Sequence, residues 1–369
     1  MLIKLAWRNL WRNKRRTLIT AASIFFAVLL AIFMNALQAG AYERMIDNLV
    51  GQYMGYVQIH KAGYWEEPIL DNSFGDEGRP GEQARAHRHV SEAIPRLEAN
   101  ALASSGNTTR VVRVLGVDPT RENALSLLES KLVAGRYFSP DDRSVIIAQG
   151  MAECLGMGLG DSITLLGQGY QAVSAAGLYP IAGIARFGSP DLNKSVIFLP
   201  LQEARQLYGA EERLTSYALK LDQADALPVV VRDLRNDLSE AYEVMSWEEM
   251  MPEFVEFMKV DTGGNYIFLG VLYLIISFGM FGTVLMMTKE REFEFGVMVA
   301  IGMKRMRLAG VVVLETLMIS LLGALAGCLA AWPIVFYFNK HPIYMGEGTE
   351  KVYEAYGFEA LIPTSTDPK

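Results

Sequence analysis

The chain has 369 residues, with 34 Lys or Arg against 41 Asp or Glu and a net charge of −7. Its mean hydropathy of +0.18 lies between that of soluble proteins and that of proteins built mostly from membrane spans. Residues 1–40 hold six Lys or Arg and no acid, whereas residues 41–263 hold 20 Lys or Arg and 32 Asp or Glu. A long acidic middle between basic ends argues against nucleic-acid binding, so we expect no nucleic-acid partner.

Three apolar segments are long enough to cross a bilayer. They are Thr17–Leu37, the uncharged 22-residue run Tyr266–Met287, and Leu308–Phe338, which contains one charged residue, Glu315. At 1.5 Å per residue, 22 residues extend about 33 Å, against roughly 30 Å for the hydrocarbon core. Basic clusters precede the first segment and separate the second from the third. The positive-inside rule therefore predicts a cytoplasmic N-terminus and an acidic middle on the opposite side of the membrane.

The acidic middle has the pattern of a mixed domain. Alternating apolar residues predict strands at Gly55–His60, Thr109–Val117 and Tyr242–Ser246. Apolar residues at helical spacing predict helices over Val90–Ala99 and Asp225–Leu238. The sequence thus predicts an α-helical membrane protein with a large α+β extracytoplasmic domain.

A short segment between the second and third predicted spans combines charged and apolar residues. Its acids come first, an apolar run follows, and the run ends at Gly302, an order typical of a helix with a glycine C-cap. The apolar residues Phe293, Val297, Met298 and Ile301 leave two interpretations equally open. The segment is either an interfacial helix on the bilayer surface or a helix that docks in a groove of a partner.

Glu315 lies about 10 Å inside the third predicted span, where an ionisable residue indicates a function by default. The alternative is a headgroup-level carboxylate that pairs with Arg305 or Arg307. We expect four glycines to permit close helix packing rather than to bind a ligand, namely Gly279, Gly282, Gly323 and Gly327. The spacing of the last two suits a tight helix crossing.

Motifs for catalysis and metal binding are absent from the sequence. It contains no Gly-x-x-x-x-Gly-Lys-Ser/Thr loop, so we expect no ATP hydrolysis by this chain itself. His-Glu-x-x-His, Cys-x-x-Cys and Gly-x-Ser-x-Gly motifs are absent too. We interpret His87 and His89 as part of a solvated polar stretch, because no Cys and no third His lies near them. The sequence therefore predicts no catalytic, cofactor-binding or metal-binding residue.

Several motifs, taken in their order along the chain, resemble those of FtsX-like (MacB-type) ABC transporter permeases. Ala6–Thr17 resembles the opening of that family, and Glu290–Met303 resembles its Arg-Glu-x-Gly-Val-x-x-Ala-x-Gly signature. Glu315 with Gly323–Gly327 resembles its next span. Three further segments resemble its periplasmic core, namely Gly135–Phe138, Ala152–Asp161 and Phe198–Leu201. Gly55–His60 is similar to the lipoprotein-releasing branch, and the resemblance covers about residues 1–338.

The resemblance implies a division of the chain into seven segments, with a periplasmic core of two lobes. These segments are a cytoplasmic elbow helix (1–16), a first transmembrane helix (17–38), the periplasmic core with its membrane-proximal stalks (39–263), a second transmembrane helix (264–287), a cytoplasmic coupling-helix loop (288–307), a third transmembrane helix (308–338) and an extracytoplasmic tail (339–369). A fourth span would be expected to follow the tail.

The resemblance also implies partners. We expect two copies of a separate ABC ATPase, which binds ATP and Mg²⁺, and a second permease copy or paralogue in the lipid bilayer of the bacterial inner membrane. No cofactor is expected in this chain. In the family, the loop between the second and third spans docks on the ATPase. The implied coupling residues here are Arg291, Glu292, Phe293, Glu294, Phe295, Gly296, Val297, Met298, Ala300 and Gly302.

The implied function is mechanotransmission. ATP hydrolysis by the partner would drive movements of the periplasmic domain that extract or export a lipophilic substrate such as a lipoprotein. An alternative is a non-transporting regulator of a periplasmic cell-wall hydrolase, driven by the same levers. A third hypothesis, a membrane-anchored enzyme with an external active site, finds no supporting set of residues in the sequence.

Overall fold

The computed structural model describes residues 2–12, 14–75, 79–106, 108–344, 346 and 361–366. The chain divides into two units. We call the first the helical unit; it comprises the described residues of 1–43, 256–344 and 361–369. We call the second the α+β unit; it consists chiefly of residues 44–255. Most of the predicted tail 339–369 lies outside the described residues.

Twelve α-helices are found among the described residues. They are α1 (Leu2–Arg12), α2 (Lys14–Ile46), α3 (Arg79–Ala86), α4 (Pro119–Ser126), α5 (Gln149–Leu155), α6 (Pro190–Ser195), α7 (Leu201–Tyr208), α8 (Leu227–Asp237), α9 (Trp247–Met250), α10 (Pro252–Glu290), α11 (Glu292–Ala300) and α12 (Arg305–Lys340). A π-helical segment, Asp47–Met54, continues α2.

Strands form one large sheet and two small ribbons. The strands are β1 (Val57–Lys61), β2 (Phe74–Gly75), β3 (Val90–Ser105), β4 (Thr108–Val117), β5 (Leu132–Gly135), β6 (Val145–Ala148), β7 (Ser162–Gln168), β8 (Ser174–Ala185), β9 (Val196–Pro200), β10 (Arg213–Leu214), β11 (Ser216–Leu221), β12 (Tyr242–Ser246), β13 (Ile343–Tyr344) and β14 (Leu361–Ile362). The large sheet runs β12-β1-β11-β3-β4-β9-β6-β8-β5, and β7 bridges β3 and β8. Only the β4–β9 and β6–β8 pairs are parallel. The predicted strands at Thr109–Val117 and Tyr242–Ser246 are confirmed as β4 and β12.

The predicted helix over Val90–Ala99 is wrong, because this segment is the first part of β3. Residues 90–96 pair with β11, and pairing with β4 begins at Arg96. Five consecutive side chains, from Ala93 to Leu97, are buried. A strand covered on both faces carries consecutive buried residues instead of an alternating pattern, and short windows cannot distinguish such a run from a helix. Long-range pairing therefore decides the conformation of this segment.

The motif Gly135–Phe138 is explained by its position at the edge of the sheet. Gly135 has φ +85°, and a Cβ atom there would lie 2.2 Å from the Ala182 carbonyl oxygen, so only glycine fits. Tyr137 Oη donates a 2.7 Å hydrogen bond to the carbonyl oxygen of Pro119. Phe138 is buried in the large core cluster of the α+β unit. The motif thus turns the chain sharply and anchors the turn to the core.

A fully buried ion pair links the sheet of the α+β unit to α4. Arg96 on β3 donates from Nη2 to Glu122 Oε1 at 2.7 Å and from Nε to Glu122 Oε2 at 3.0 Å. Both side chains are almost completely removed from solvent. The bidentate geometry satisfies two charges that would otherwise be desolvated without compensation. This pair fixes α4 against the centre of the sheet.

Three helices of the described chain are long and apolar enough to cross a membrane, Thr17–Met54, Pro252–Glu290 and Arg305–Lys340. Each of them contains one of the predicted spans and extends beyond it. The fold class, an α-helical membrane protein with a large α+β extracytoplasmic domain, is confirmed. The division of that domain into two lobes, the segment boundaries and the orientation of the N-terminus stay predictions.

Glycines of α12 bring it into direct contact with α2. A Cβ atom at Gly323 would lie 2.7 Å from the Ala21 carbonyl oxygen, and one at Gly327 would lie 2.9 Å from that of Phe25. Gly279 and Gly282 on α10 have no heavy atom of the described chain within 4 Å of such a position. Of these four glycines, Gly323 and Gly327 therefore lie at a close helix contact, and Gly279 and Gly282 do not.

Polar side chains join the helices at the end of the bundle opposite α1. Asp261 on α10 accepts hydrogen bonds from Gln38, at 2.5 Å, and from Tyr42, both on α2. Asn265 donates to Gln38 Oε1 at 2.7 Å. This cluster holds α2 and α10 together where both helices lead into the α+β unit in sequence.

A short stretch after β14 joins α2 to α12 at the same end. Thr364 Oγ1 donates to the Val335 carbonyl oxygen of α12 at 2.6 Å. The amide of Ser365 donates to the Ala36 carbonyl oxygen of α2 at 2.8 Å. Both of these residues are buried. All three spans are therefore tied to a neighbour at this end by polar contacts.

Removing Glu122 should destabilise the α+β unit strongly. Glu122→Ala leaves the buried Arg96 charge without its partner, and we expect a loss of about 3–5 kcal/mol in the free energy of unfolding. Denaturant unfolding of the purified full chain measures this loss. Arg136→Ala, which breaks the exposed Arg136–Asp142 pair, is the control and should leave the transition almost unchanged. Equal effects of the two substitutions would contradict the assigned role of the buried pair.

Substituting the contact glycines should separate α2 from α12. We expect Gly323→Val to lower the free energy of unfolding by about 1–3 kcal/mol, because overpacking forces the helices apart. Gly279→Val is the matched control, since the same change there meets open space. Thermal unfolding in detergent compares the two. A midpoint that falls equally in both variants would show that the loss comes from the valine itself and not from the helix contact.

Candidate functional site

The short helix α11 lies between the ends of two candidate spans. Arg291 precedes its first turn, and the amide of Phe295 donates to the Arg291 carbonyl oxygen at 2.9 Å. The acids Glu292 and Glu294 occupy the first turn, where the helix dipole favours negative charge. Gly302 follows the helix with φ +101°, a backbone conformation that glycine adopts readily and that a Cβ atom disfavours. Acids at the start and glycine after the end therefore produce the helix that the sequence predicts.

One face of α11 carries apolar side chains that are largely exposed in the described part of the chain. Phe293 is 85% exposed and Val297, one turn later, is 45% exposed. Gly296 and Ala300 complete the same face and share a shallow surface groove with them. We call these four residues the docking face. A Cβ atom at Gly296 would meet open space, so another backbone can approach closely there.

Arg291, which precedes α11, directs its side chain into the interior of the helical unit and not towards solvent. Arg291 Nη1 donates to Glu315 Oε2 on α12 at 2.9 Å and to Oε1 at 3.2 Å. Asn9 on α1 donates from Nδ2 to Glu315 Oε1 at 2.6 Å, and its carbonyl oxygen accepts from Arg291 Nη2 at 3.3 Å. We call Asn9, Arg291 and Glu315 the polar clamp. It joins three separate helical elements at one point.

The partner of Glu315 differs from the two candidates that the sequence suggests. Pairing with Arg305 or Arg307 is wrong, because Glu315 pairs with Arg291. Arg305 and Arg307 lie in the first turn of α12 and are exposed, several turns away from Glu315 along the same helix. Arg291 comes from outside α12 and approaches the carboxylate from the side.

Burial makes the polar clamp mechanically stiff. The side chains of Arg291 and Glu315 are 7% and 6% exposed. Separating two such charges leaves each one desolvated and unpaired, which is strongly unfavourable in a low-dielectric environment. Displacement of the α10–α11 connection is therefore opposed unless α12 moves with it.

A second, exposed ion pair joins α1 to α11. Arg12 near the end of α1 donates from its guanidinium to the carboxylate of Glu294. This hydrogen bond holds the pKa of Glu294 below its ordinary value. Because both side chains are about half exposed, the pair contributes little to stability. Its effect is to fix the direction of α11 relative to α1.

Apolar packing supports the same junction. Leu10 on α1, Ile24 on α2, Met287 on α10 and Ile319 on α12 form one buried cluster. The helix α1 also lies along α12. The start of α11 is therefore attached to a joint in which all three candidate spans meet α1.

The sequence identifies most of these residues but not their connections. The structure places Phe293, Gly296, Val297 and Ala300 on one face of α11, and Phe295 on the side towards the start of α12. The sequence does not indicate the role of Asn9 in the polar clamp, nor does it indicate the Arg12–Glu294 pair. They join residues 306 and 282 positions apart, for which a single sequence carries no signal.

No group of three or more His, Cys, Asp or Glu in the described residues is placed to hold a metal ion. His87 and His89 instead pair separately with carboxylates. His87 Nε2 lies 3.4 Å from Asp233 Oδ2, and His89 Nδ1 lies 3.2 Å from Asp222 Oδ1. The candidate site is therefore the docking face together with the polar clamp, an exposed apolar surface next to a buried ion pair.

Comparison with protein families gives two adjoining matches. A family model described as the MacB-like periplasmic core domain matches residues 17–237. A second, described as the FtsX-like permease C-terminal, matches residues 266–364. Together the two matches include α11 and Glu315.

Two curated relatives are similar over most of their length. The lipoprotein-releasing system transmembrane protein LolC of Neisseria meningitidis serogroup B is 21% identical over 320 residues, covering 84% of this chain and 75% of that protein. The uncharacterized ABC transporter permease YknZ of Bacillus subtilis is 21% identical over 363 residues, covering 90% of this chain and 88% of that protein.

Two solved structures are similar to part of the chain. The extracellular domain of the noncanonic ABC-type transporter YknZ from Gram-positive bacteria has a TM-score of 0.37 at 16% identity, covering 52% of this chain and 99% of that one. The periplasmic region of MacB from Actinobacillus actinomycetemcomitans has a TM-score of 0.39 at 11% identity, covering 58% and 98%.

Removing the carboxylate of the polar clamp should loosen the joint at α1. Glu315→Ala leaves Arg291 buried without a counter-charge, and we expect a loss of about 3–5 kcal/mol in the free energy of unfolding. The double variant Arg291→Met/Glu315→Leu removes both charges and should recover most of this loss. Unfolding of the purified chain in detergent measures both. If the double variant is no more stable than Glu315→Ala, the pair does not act as a unit.

Proposed function

Because this chain belongs to the family of FtsX-like permeases with a MacB-like periplasmic core domain, we propose that it couples ATP hydrolysis by a separate ATPase to movements of its α+β domain. It is a permease subunit of an ABC transporter of this family. Such subunits are membrane proteins, and we place the ATPase activity, with its ATP and Mg²⁺, on the partner chain. The α+β domain then lies in the periplasm and α11 in the cytoplasm.

One observation carries the proposal. An apolar docking face lies outward on α11, while the residue that begins this segment is held inside the bundle by the polar clamp. An interfacial helix would need the exposed Phe293 and Val297, but it would not need a buried arginine at its start. A helix that must transmit force needs both features. This favours docking on a partner over simple attachment to the bilayer surface.

The path of the force follows from the contacts of the helical unit. A partner that moves α11 moves Arg291, and through it Glu315 on α12 and Asn9 on α1. The helix α12 in turn packs on α2 through Gly323 and Gly327. The helices α2 and α10 continue in sequence into the α+β domain. We infer that the spans act as levers whose far ends displace that domain.

The substrate that we propose is a lipophilic molecule, such as a lipoprotein, extracted from the outer leaflet or expelled from a periplasmic cavity. The name of the relative LolC, a lipoprotein-releasing system protein, supports this class. So does the resemblance of Gly55–His60 to that branch. We further propose two ATPase copies and a second permease copy or paralogue in the active complex, in the bacterial inner membrane.

Charged substitutions on the docking face should abolish binding of the ATPase. Phe293→Asp/Val297→Asp places two carboxylates where an apolar contact is required, and we expect at least a tenfold loss of ATPase in the purified complex. Tagged chain is purified in detergent from its native host, and both the co-purified ATPase and ATP turnover are measured. Leu178→Asp, on an exposed apolar residue of β8, is the matched control and should retain the ATPase.

The same purification tests the substrate class. Mass spectrometry of the control sample should identify a lipid-modified protein or another lipophilic molecule alongside the ATPase. A cell-wall hydrolase in its place would favour a regulatory function and contradict the proposed transport. Retention of the ATPase by the Phe293→Asp/Val297→Asp variant would contradict the docking face itself.

A further inference from the structure

We propose that α1 and the start of α2 form a binding site for anionic phospholipid headgroups of the cytoplasmic leaflet. The site consists of Trp7, Arg8, Trp11, Lys14 and Arg15, which we call the cation–aromatic patch. The choice of leaflet rests on the proposed orientation of the chain, whereas the choice of ligand rests on the residues themselves.

Two tryptophans form the centre of the patch. Trp7 and Trp11 lie one helical turn apart, with ring centroids 6.0 Å apart and an edge-to-face angle of 68°. They are 46% and 56% exposed. Tryptophan combines an apolar ring with an N–H donor and is enriched at the boundary between lipid and water. Two such rings, exposed side by side at the end of a bundle of candidate spans, fit that boundary.

Basic side chains surround these rings. Lys14 Nζ lies 5.9 Å from the centroid of the Trp11 ring, within the range of a cation–π contact. Arg8 is three residues before Trp11 and therefore lies on the adjoining part of the same helix surface. The patch thus presents donors and positive charge next to an apolar ring surface, as a phosphate group attached to an acyl chain requires.

The positive charge of the patch has no protein partner within the described part of the chain. Arg8, Lys14 and Arg15 form no ion pair there, whereas Arg12 is occupied by Glu294. No Asp or Glu occurs anywhere in residues 1–40. The described residues supply no counter-charge to these three side chains, and at a membrane surface the phosphate of an anionic lipid would supply it.

The other side of α1 is fixed by the bundle, so the orientation of the patch is not free to change. Leu10 is buried among Ile24, Met287 and Ile319, and Asn9 belongs to the polar clamp. Thr17 Oγ1 also donates to the Leu10 carbonyl oxygen at 3.1 Å, which ties α1 to the first turn of α2. A bound lipid would therefore contact a helix that is joined directly to Arg291 and Glu315.

Quenching of tryptophan fluorescence by brominated lipids tests the site in the full chain. Trp332→Phe retains Trp7 and Trp11, while Trp7→Phe/Trp11→Phe retains Trp332, which is 79% exposed on α12. Trp65 and Trp247 are present in both variants and cancel in the comparison. Each variant is placed in nanodiscs of phosphatidylethanolamine and phosphatidylglycerol, with brominated acyl chains on one lipid or the other at equal mole fraction.

We expect Trp7 and Trp11 to be quenched preferentially by brominated phosphatidylglycerol, and Trp332 to be quenched equally by both lipids. Adding Arg8→Gln and Lys14→Gln to the first variant should reduce the relative association constant for phosphatidylglycerol by about fivefold per cation. Equal quenching of Trp7 and Trp11 by the two lipids, or none, would overturn the proposal.

The test separates lipid binding from docking of the ATPase. Nanodiscs present both leaflets alike and contain no ATPase, so the result depends neither on orientation nor on the docking face. If the glutamine substitutions change no lipid preference but remove the ATPase from the detergent-purified complex, the patch binds an acidic protein surface instead, and the lipid proposal is wrong.

Discussion

The buried pair between Arg291 and Glu315 constrains the helical unit more than any other contact. An arginine from the α10–α11 connection and a glutamate from the interior of α12 are both removed from solvent, and each requires the other. Asn9 satisfies one of the remaining acceptor sites of the carboxylate. Because unpaired charge is so unfavourable in this environment, separation of these three elements is strongly opposed. The position of α11, and hence of its exposed face, follows from this one requirement.

The opposite end of the bundle is held by a different kind of contact. Asp261 collects hydrogen bonds from α2, and Thr364 and Ser365 connect α12 to α2 through backbone carbonyls. Between the two ends, α2 and α12 pack closely through glycine, whereas α10 exposes most of its surface. Polar contacts at both ends and apolar surface between them suit levers that must keep their mutual spacing in lipid, where apolar packing alone gives little specificity.

Three surfaces of the helical unit are exposed among the described residues, and each differs in chemistry. The docking face of α11 is apolar and small, as a coupling contact with a soluble ATPase requires. The cation–aromatic patch of α1 is amphipathic and positive, as a lipid headgroup requires. The exposed side of α10 is apolar over Tyr266–Met287, as lipid chains or a second permease copy would require. The polar clamp connects the first two surfaces, so the lipid that we propose at α1 and the ATPase that we propose at α11 would act on the same joint.

The sequence by itself determines the elements whose structure is set locally. A run of some 20 apolar residues must be helical in a bilayer, since only a helix satisfies its own backbone hydrogen bonds there. The acids in the first turn of α11 and Gly302 after its last turn mark where that helix begins and ends. Long-range contacts decide the rest. Val90–Ala99 has the spacing of a helix but becomes a strand, because it pairs with β11 and, from Arg96 onward, with β4. Glu315 is recognisable as unusual, yet its choice of Arg291 over Arg305 and Arg307 depends on how α1, α11 and α12 meet. Only the tertiary structure determines this pairing. Arg291 and Glu315 become each other's partner because both are buried at the same place, and burial arises only when the chain packs.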